Sequence, residues 1–293
     1  ESSSVASDVP SQVTGLTATP TINYTIDLAW SAPNGNGYAV SGYHIESSVD
    51  GGTTWTDLEA NTASTATTYA HINLSTGVTY TYQVSAINTV GAGVASTTAS
   101  STAGDVPDAP VLTLSALPSN TIQSDWTTPA DNGFAITTYQ IERSADAGTT
   151  WVPVTSVNAN TFQDPNLTNS VTYQYKVSAT NLVGSSAFSG VVQIVAGNSP
   201  GTVNPLTATT TSNTSIDLAW ATPNPNGYAV TGYFIERSVD SGATWSTLVA
   251  DTQSLSIGYS DTGLTTGTIY TYQVSAINAL GTGPASATAS SHA

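Results

Sequence analysis

The 293-residue chain has no cysteine and no methionine. Disulfide staples, thiolate nucleophiles and thiol-ligated zinc are thereby excluded together, so each folded unit must stand on its apolar core. Positive charge is almost as scarce: Arg143, Lys176 and Arg237 face 19 acids, for a net charge of −16 and a pI of about 4.1. Such a surface repels phosphate backbones and argues against nucleic acid as a partner. It suits surroundings rich in Na⁺, Mg²⁺ or Ca²⁺. Apolar runs are short, none approaching the roughly 18 residues of a membrane helix, so no membrane span is expected. No cleavable leader opens the chain, and Glu1 reads as a mature or truncated start.

Repetition is what the chain does have. T-I-D-L-A-W (25–30), T-I-Q-S-D-W (121–126) and S-I-D-L-A-W (215–220) align, with tryptophans at 30, 126 and 220. V-T-Y-T-Y-Q-V-S-A-I-N (78–88) returns as V-T-Y-Q-Y-K-V-S-A-T-N (171–181) and T-I-Y-T-Y-Q-V-S-A-I-N (268–278). An octet ending in Trp55, Trp151 and Trp245 lies between these anchors: S-V-D-G-G-T-T-W, S-A-D-A-G-T-T-W and S-V-D-S-G-A-T-W. Three homologous units follow, at 8–104, 105–197 and 198–293, behind a tail of residues 1–7.

Inside a unit the apolar period is two. Ile26, Leu28 and Trp30 alternate with Asp27 and Ala29, and Tyr80, Tyr82, Val84 and Ala86 alternate with Thr81, Gln83 and Ser85. That is the pattern of half-buried strands. About seven such strands per unit, punctuated by Gly, Pro, Asn and Asp, predict an all-β chain of antiparallel sandwiches. The connections A-G-D-V-P-D-A-P (103–110) and A-G-N-S-P-G (196–201) are too short for flexible tethers, and their prolines favour extended backbone. The units are expected end to end in a semi-rigid rod of roughly 100 Å.

These residues resemble the fibronectin type III family. The resemblance rests on the leading D-V-P-S, D-V-P-D and N-S-P-G, the tryptophan of the second strand, the S-A-P, T-T-P and A-T-P steps after it, the G-Y-x-I-E-x-S strand and the Y-x-Y-x-V-S-A-x-N strand. It covers nearly the whole chain. It implies a seven-stranded sandwich with Trp30, Trp126 and Trp220 in the cores and Tyr80, Tyr173 and Tyr270 at the corner position. The middle unit departs by reading T-T-Y for S-G-Y and P-N-L-T-N-S for the glycine-bearing turn before its tyrosine. No R-G-D tripeptide occurs, so the cell-attachment activity of animal members does not carry over.

The octet looks like the Asp-box of sialidases. Its composition also suits a hairpin between the third and fourth strands, with Asp and hydroxyls bonding inside the turn, Gly allowing φ > 0 and Trp clamping it down. Two arginines in different units cannot form a sialidase site, so the structural reading is preferred. Glu46, Glu142 and Glu236 are one strand position written three times, expected solvated rather than catalytic. His44 gives way to Gln140 and Phe234; His71 is placed on a strand near the sandwich edge, and His292 near the end. G-A-G-V-A-S (91–96) reads as the last hairpin turn rather than a phosphate cradle. No active site is identified.

Six weaker signals remain. Phe134 and Tyr228 lie in the turn after the second strand and are expected to pack against the preceding unit. Tyr38, the equivalent of the first unit, is a candidate subunit contact. Asp50, Asp105, Asp108 and Asp131 are candidate ligands for a Ca²⁺ bridge at the first junction, although such an ion takes six to eight oxygens. Asn23, Asn73, Asn166 and Asn213 head N-x-S/T sequons at the same pole of the units, as candidate glycosylation sites. Phe234, an aromatic on an otherwise polar strand face, is a candidate contact. The opening E-S-S-S-V-A-S is either an added edge strand for a neighbour or a tail.

The functional expectation is a non-catalytic extracellular structural or adhesive protein of a microbial cell surface, a rigid spacer or subunit of a filament or array. The repeats look more like prokaryotic, especially archaeal, members than animal ones. Its partners would be copies of itself, other surface proteins or glycans. The alternatives are an accessory module of a secreted carbohydrate-active enzyme and a virion tail-fibre or decoration protein.

Overall fold

A computed structural model describes residues 8–293. The expectation for residues 1–7, added strand or tail, lies outside the described residues. The first unit contains β1 (Thr14–Thr21), β2 (Thr25–Ser31), β3 (Gly42–Ser48), β4 (Thr56–Glu59), β5 (Thr68–His71), β6 (Thr79–Ile87) and β7 (Ala99–Thr102). They form two antiparallel sheets, ordered β1-β2-β5 and β4-β3-β6-β7. The second unit repeats the plan with β8 (Leu112–Leu117), β9 (Thr121–Trp126), β10 (Thr138–Ser144), β11 (Val152–Val157), β12 (Thr161–Asp164), β13 (Thr172–Thr180) and β14 (Val192–Val195). The third has β15 (Leu206–Ser212), β16 (Ser215–Trp220), β17 (Gly232–Ser238), β18 (Ser246–Val249), β19 (Gly258–Thr262), β20 (Ile269–Asn278), the two-residue β21 (Gly281–Thr282) and β22 (Ala289–His292). Among the described residues there is no helix, and hence none long and apolar enough to cross a membrane.

The period-two pattern sets which face is buried. Ile26, Leu28 and Trp30 turn inward on β2 while Asp27 and Ala29 face out. Each unit has its own core cluster, and each cluster joins a second-strand tryptophan edge-on to a third-strand tyrosine. The ring centroids are 5.0 Å apart for Trp30–Tyr43, 5.4 Å for Trp126–Tyr139 and 5.0 Å for Trp220–Tyr233. Such pairs add about 1 kcal/mol to what their buried area contributes.

Alternation misleads in one place. On β6 the supposedly outward Thr81 and Ser85 are also buried. This strand lies in the interior of its sheet, and the Thr81 and Ser100 hydroxyls bond each other at 2.9 Å. Small hydroxylated side chains with a partner tolerate such burial.

The corner tyrosines stand where the resemblance puts them. The hydroxyl oxygens of Tyr80, Tyr173 and Tyr270 accept the backbone N–H of Ser75 (3.3 Å), Thr168 (3.0 Å) and Thr265 (3.1 Å), tying each sixth strand to the loop before it. In the middle unit that loop reaches the same geometry without glycine: Ser170 holds φ +63° where Gly77 and Gly267 hold +73° and +80°. No neighbour crowds a β-carbon at Gly77 or Gly267, so serine at this place carries backbone strain but no clash. Tyr173→Phe, which strands the Thr168 N–H, is expected to lower the stability of the middle unit by about 1–2 kcal/mol in urea titrations.

Candidate functional site

The octet folds as the sequence suggests, in the connection between β3 and β4 and its two copies. Its two central residues have positive φ in every unit: +73° and +92° at Gly51 and Gly52, +58° and +85° at Ala147 and Gly148, +59° and +90° at Ser241 and Gly242. A hairpin turn with two such residues is the setting for which this composition is suited. The aspartate saturates itself inside the turn. Asp50 Oδ1 accepts from the Ser48 hydroxyl (2.7 Å) and the Thr54 amide (2.8 Å), and Oδ2 from the Thr54 hydroxyl (2.6 Å). Asp146 and Asp240 repeat this set. With so many donors, first of all the threonine hydroxyl, Asp146 and Asp240 are held down to about 2, and Asp50 lies well below the usual carboxylate range. The tryptophan then folds over its own turn. Carbon Cζ2 of Trp55 lies 3.2 Å from where a β-carbon of Gly52 would stand. In the middle unit the Trp151 ring also receives Lys176, whose Nζ is 4.3 Å from the centroid. These bonds are structural and engage both oxygens of Asp50 within its own turn.

The repeated glutamates are not the solvated row expected. Each is partly buried and paired across to the sixth strand: Glu46 Oε2 accepts from Gln83 at 2.7 Å, Glu142 pairs with Lys176 at 3.0 Å, and Glu236 accepts from Gln273 at 2.6 Å. The neighbouring arginines turn the other way, into the sandwich. Arg143 reaches the buried Asp164 at 2.7 Å, and Tyr175 donates its hydroxyl to the same oxygen at 2.7 Å. Arg237, Asp261 and Tyr272 repeat the trio. Burial, then the bond to aspartate, pushes both phenols far above their ordinary value. In the first unit the arginine position is Ser47 and the aspartate position is His71, whose Nδ1 lies 3.1 Å from the Tyr82 hydroxyl. His71 does stand on an edge strand, but its ring packs edge-on against Tyr80 and Tyr82, and burial lowers its pKa. Sequence reasoning missed Asp164 and Asp261. The signal that finds them is coupled: aspartate on the fifth strand accompanies arginine on the third, and where one is histidine the other is serine.

The junction residues come together. The turns N-G-Y (36–38), N-G-F (132–134) and N-G-Y (226–228) each place an Asn and a Gly at positive φ. Behind them sits the asparagine that closes the sixth-strand motif. Asn181 Nδ2 donates to the carbonyls of Asp105 (2.7 Å) and Asp131 (3.0 Å), binding the unit's first residues to its second-strand turn, and Asn88 and Asn278 do likewise. The turn so fixed presents its aromatic to the preceding unit. A β-carbon on the buried Gly104 would lie 2.6 Å from Phe134 Cε2, and one on the buried Gly197 would lie 2.7 Å from Tyr228 Cδ2. Tyr228 also donates its hydroxyl to the Val195 carbonyl of β14 at 2.9 Å. Asn169 adds a bond to Asn226 at 3.2 Å, and Ser119 N–H one to Asn198 Oδ1 at 3.0 Å. Phe134 and Tyr228 are partly covered, whereas Tyr38 stays 45% exposed.

Asp105, Asp108 and Asp131 lie beside this first junction, but each is engaged locally, with the Val106 amide, the Asn132 side chain and the Gly133 amide respectively. They and Asp50 are not drawn together into a ligand set. Among the described residues, the one group of three or more potential ligands with converging atoms is His44, Glu46 and Asp57. All four sequon asparagines are exposed, Asn23 and Asn213 in the first turn and Asn73 and Asn166 after the fifth strand. The two turns share a pole, joined by the Leu74 N–H bond to the Tyr24 carbonyl. Asn23, Asn73 and Asn166 hold φ of +59°, +57° and +59°, so backbone geometry alone accounts for asparagine there. Phe234 is half-buried on β17, at the place of His44.

The fibronectin type III domain model matches residues 11–102 and 200–292. Similar curated proteins include Exoglucanase B of Cellulomonas fimi, 29% identical over 290 residues (93% of this chain, 24% of that protein), and human Myomesin-2, 26% identical over 287 residues (94% and 20%). Mouse Protein sidekick-1 is 28% identical over 299 residues, covering 94% of this chain and 13% of its own length. The chain thus spans about a quarter or less of the curated relatives it matches. Among solved structures, the chicken CNTN1 FN1-FN3 domains align over 97% of this chain and 98% of theirs, with TM-score 0.42 and 19% identity.

Two outcomes follow from these charged groups. Removing the cation in Arg143→Met leaves Asp164 buried with only the tyrosine, and a loss of about 3 kcal/mol is expected in chemical denaturation; Arg143→Ser with Asp164→His, the first unit's pair, should recover most of it. The octet aspartates, depressed in the folded state, stabilise fully above the unfolded value near 4 and lose that contribution as pH falls toward 2. Melting temperature should therefore drop across that window, and Asp146→Asn with Asp240→Asn should flatten the drop.

Proposed function

The chain belongs to the fibronectin type III family, and we propose from that premise that it is a non-catalytic structural or adhesive segment of a microbial cell-surface protein, working as a stiff spacer. The units proposed are 8–104, 105–197 and 198–293. The observation that carries the reading is the junction: an aromatic from each following unit covers a buried glycine of the one before, and polar bonds reinforce the second contact. A spacer gains reach from every repeated unit, whereas a reaction centre gains nothing from being copied. The strongly acidic exterior is consistent with an extracellular, ion-rich setting and with solubility at high local density. Tyr38 is proposed as the contact to a further unit or second copy, since the same turn already serves that purpose twice. The exposed sequons are proposed as attachment points for glycans.

One alternative has its own support. The similarity to Exoglucanase B over nearly the whole of this chain favours an accessory module of a secreted carbohydrate-active enzyme. Co-sedimentation with insoluble cellulose separates the two, retention being expected only on the second reading.

Small-angle scattering tests the spacer. A single extended particle of roughly 100 Å is expected from three units with strands rising about 3.3 Å per residue plus loops. Phe134→Ala with Tyr228→Ala should broaden the distance distribution without unfolding the sandwiches. A wild-type chain that already flexes freely between units would overturn the reading.

A further inference from the structure

We propose that His44, Glu46 and Asp57 form a binding site for a first-row divalent transition ion such as Zn²⁺. The placement comes from the strands. His44 and Glu46 are two residues apart on β3 and share its outer face, and a register shift between the Ile45 and Glu46 pairs sets Asp57 of β4 opposite Glu46. One ligand atom from each residue then lies within 4.8 Å of the others, and His44 Nε2 is already 2.8 Å from Asp57 Oδ1. An ion bound at about 2.0–2.2 Å holds tetrahedral ligands roughly 3.4 Å apart, so modest side-chain rotation closes the site.

Electrostatics favours a cation here. No lysine or arginine precedes Arg143, so the first unit carries the carboxylates of Asp8, Asp27, Glu46, Asp50, Asp57 and Glu59 without a fixed positive charge. In the middle unit the equivalent of Glu46 is neutralised by Lys176. Gln83 occupies the lysine's position in the first unit and donates to Glu46 Oε2 at 2.7 Å, orienting that carboxylate while leaving Oε1 open. Such an outer bond steadies a metal ligand.

The other units are internal controls. They carry Gln140 and Phe234 in place of His44, and Pro153 and Thr247 in place of Asp57, yet build the same strands. The fold therefore needs neither His44 nor Asp57. One imidazole nitrogen with two carboxylate oxygens suits zinc and its neighbours, whereas Ca²⁺ prefers six to eight oxygens. At 26% and 64% side-chain exposure, His44 and Asp57 leave room for water or an outside ligand in the remaining positions.

The test is calorimetric titration of the full chain with ZnCl₂, repeated with CaCl₂, and Co²⁺ absorption as a report on coordination. One saturable Zn²⁺ site per chain is expected, weakened at least tenfold by His44→Gln or by Asp57→Thr and unchanged by His292→Gln, with no saturable Ca²⁺ uptake in the wild type. Both variants install residues that the other units already carry at these positions, and unchanged melting curves without metal would show that folding is intact. Absence of saturable Zn²⁺ binding, binding indifferent to both variants, or binding abolished by His292→Gln would each overturn the proposal.

Discussion

Where one sandwich meets the next, an aromatic ring rests on a glycine that has no room for a β-carbon. Gly104 and Gly197 are buried under Phe134 and Tyr228, and the turn that delivers each ring is held by an asparagine at the end of the sixth strand. The contact is small, so its value lies in orientation: a planar ring on bare backbone admits few alternative poses. The two junctions differ in kind. Tyrosine at the second adds a hydroxyl bond to β14, while phenylalanine at the first contributes apolar contact alone.

The same economy governs charge. Three cations serve a chain with 19 acids, and none is left on an open surface. Arg143 and Arg237 neutralise aspartates inside the sandwich, and Lys176 lies over Trp151 and Phe188 while pairing with Glu142. The net charge of the exterior is therefore carried by its acids. The first unit meets the same internal demand with an uncharged set, Ser47, His71 and Tyr82, and so frees itself of cations. That absence makes its His44, Glu46 and Asp57 cluster electrostatically distinct from the corresponding places in the other units.

Much of this was legible in the chain because it is written three times. Alternation predicted which faces of β2 and its copies are buried, and the octet's composition predicted a hairpin because Asp, Gly and Thr have a specific task at each place in it. The corner tyrosines and core tryptophans followed from resemblance. Two readings went astray for one reason. Glu46, Glu142 and Glu236 looked solvated, and Thr81 and Ser85 looked exposed, because a strand's own pattern does not reveal what the neighbouring strand places beside it.

By itself, then, the sequence determined the class of fold, the repetition and the turns, all of which rest on local periodicity and on backbone angles that few residues tolerate. The partners of the charged groups were decided only by tertiary structure. Asp164 finds Arg143 from 21 residues away, and Asp57 reaches His44 from 13. The first encounter needs two sheets packed face to face, since β10 and β12 belong to different sheets, and the second needs the one-residue shift in register between β3 and β4; no single strand encodes either.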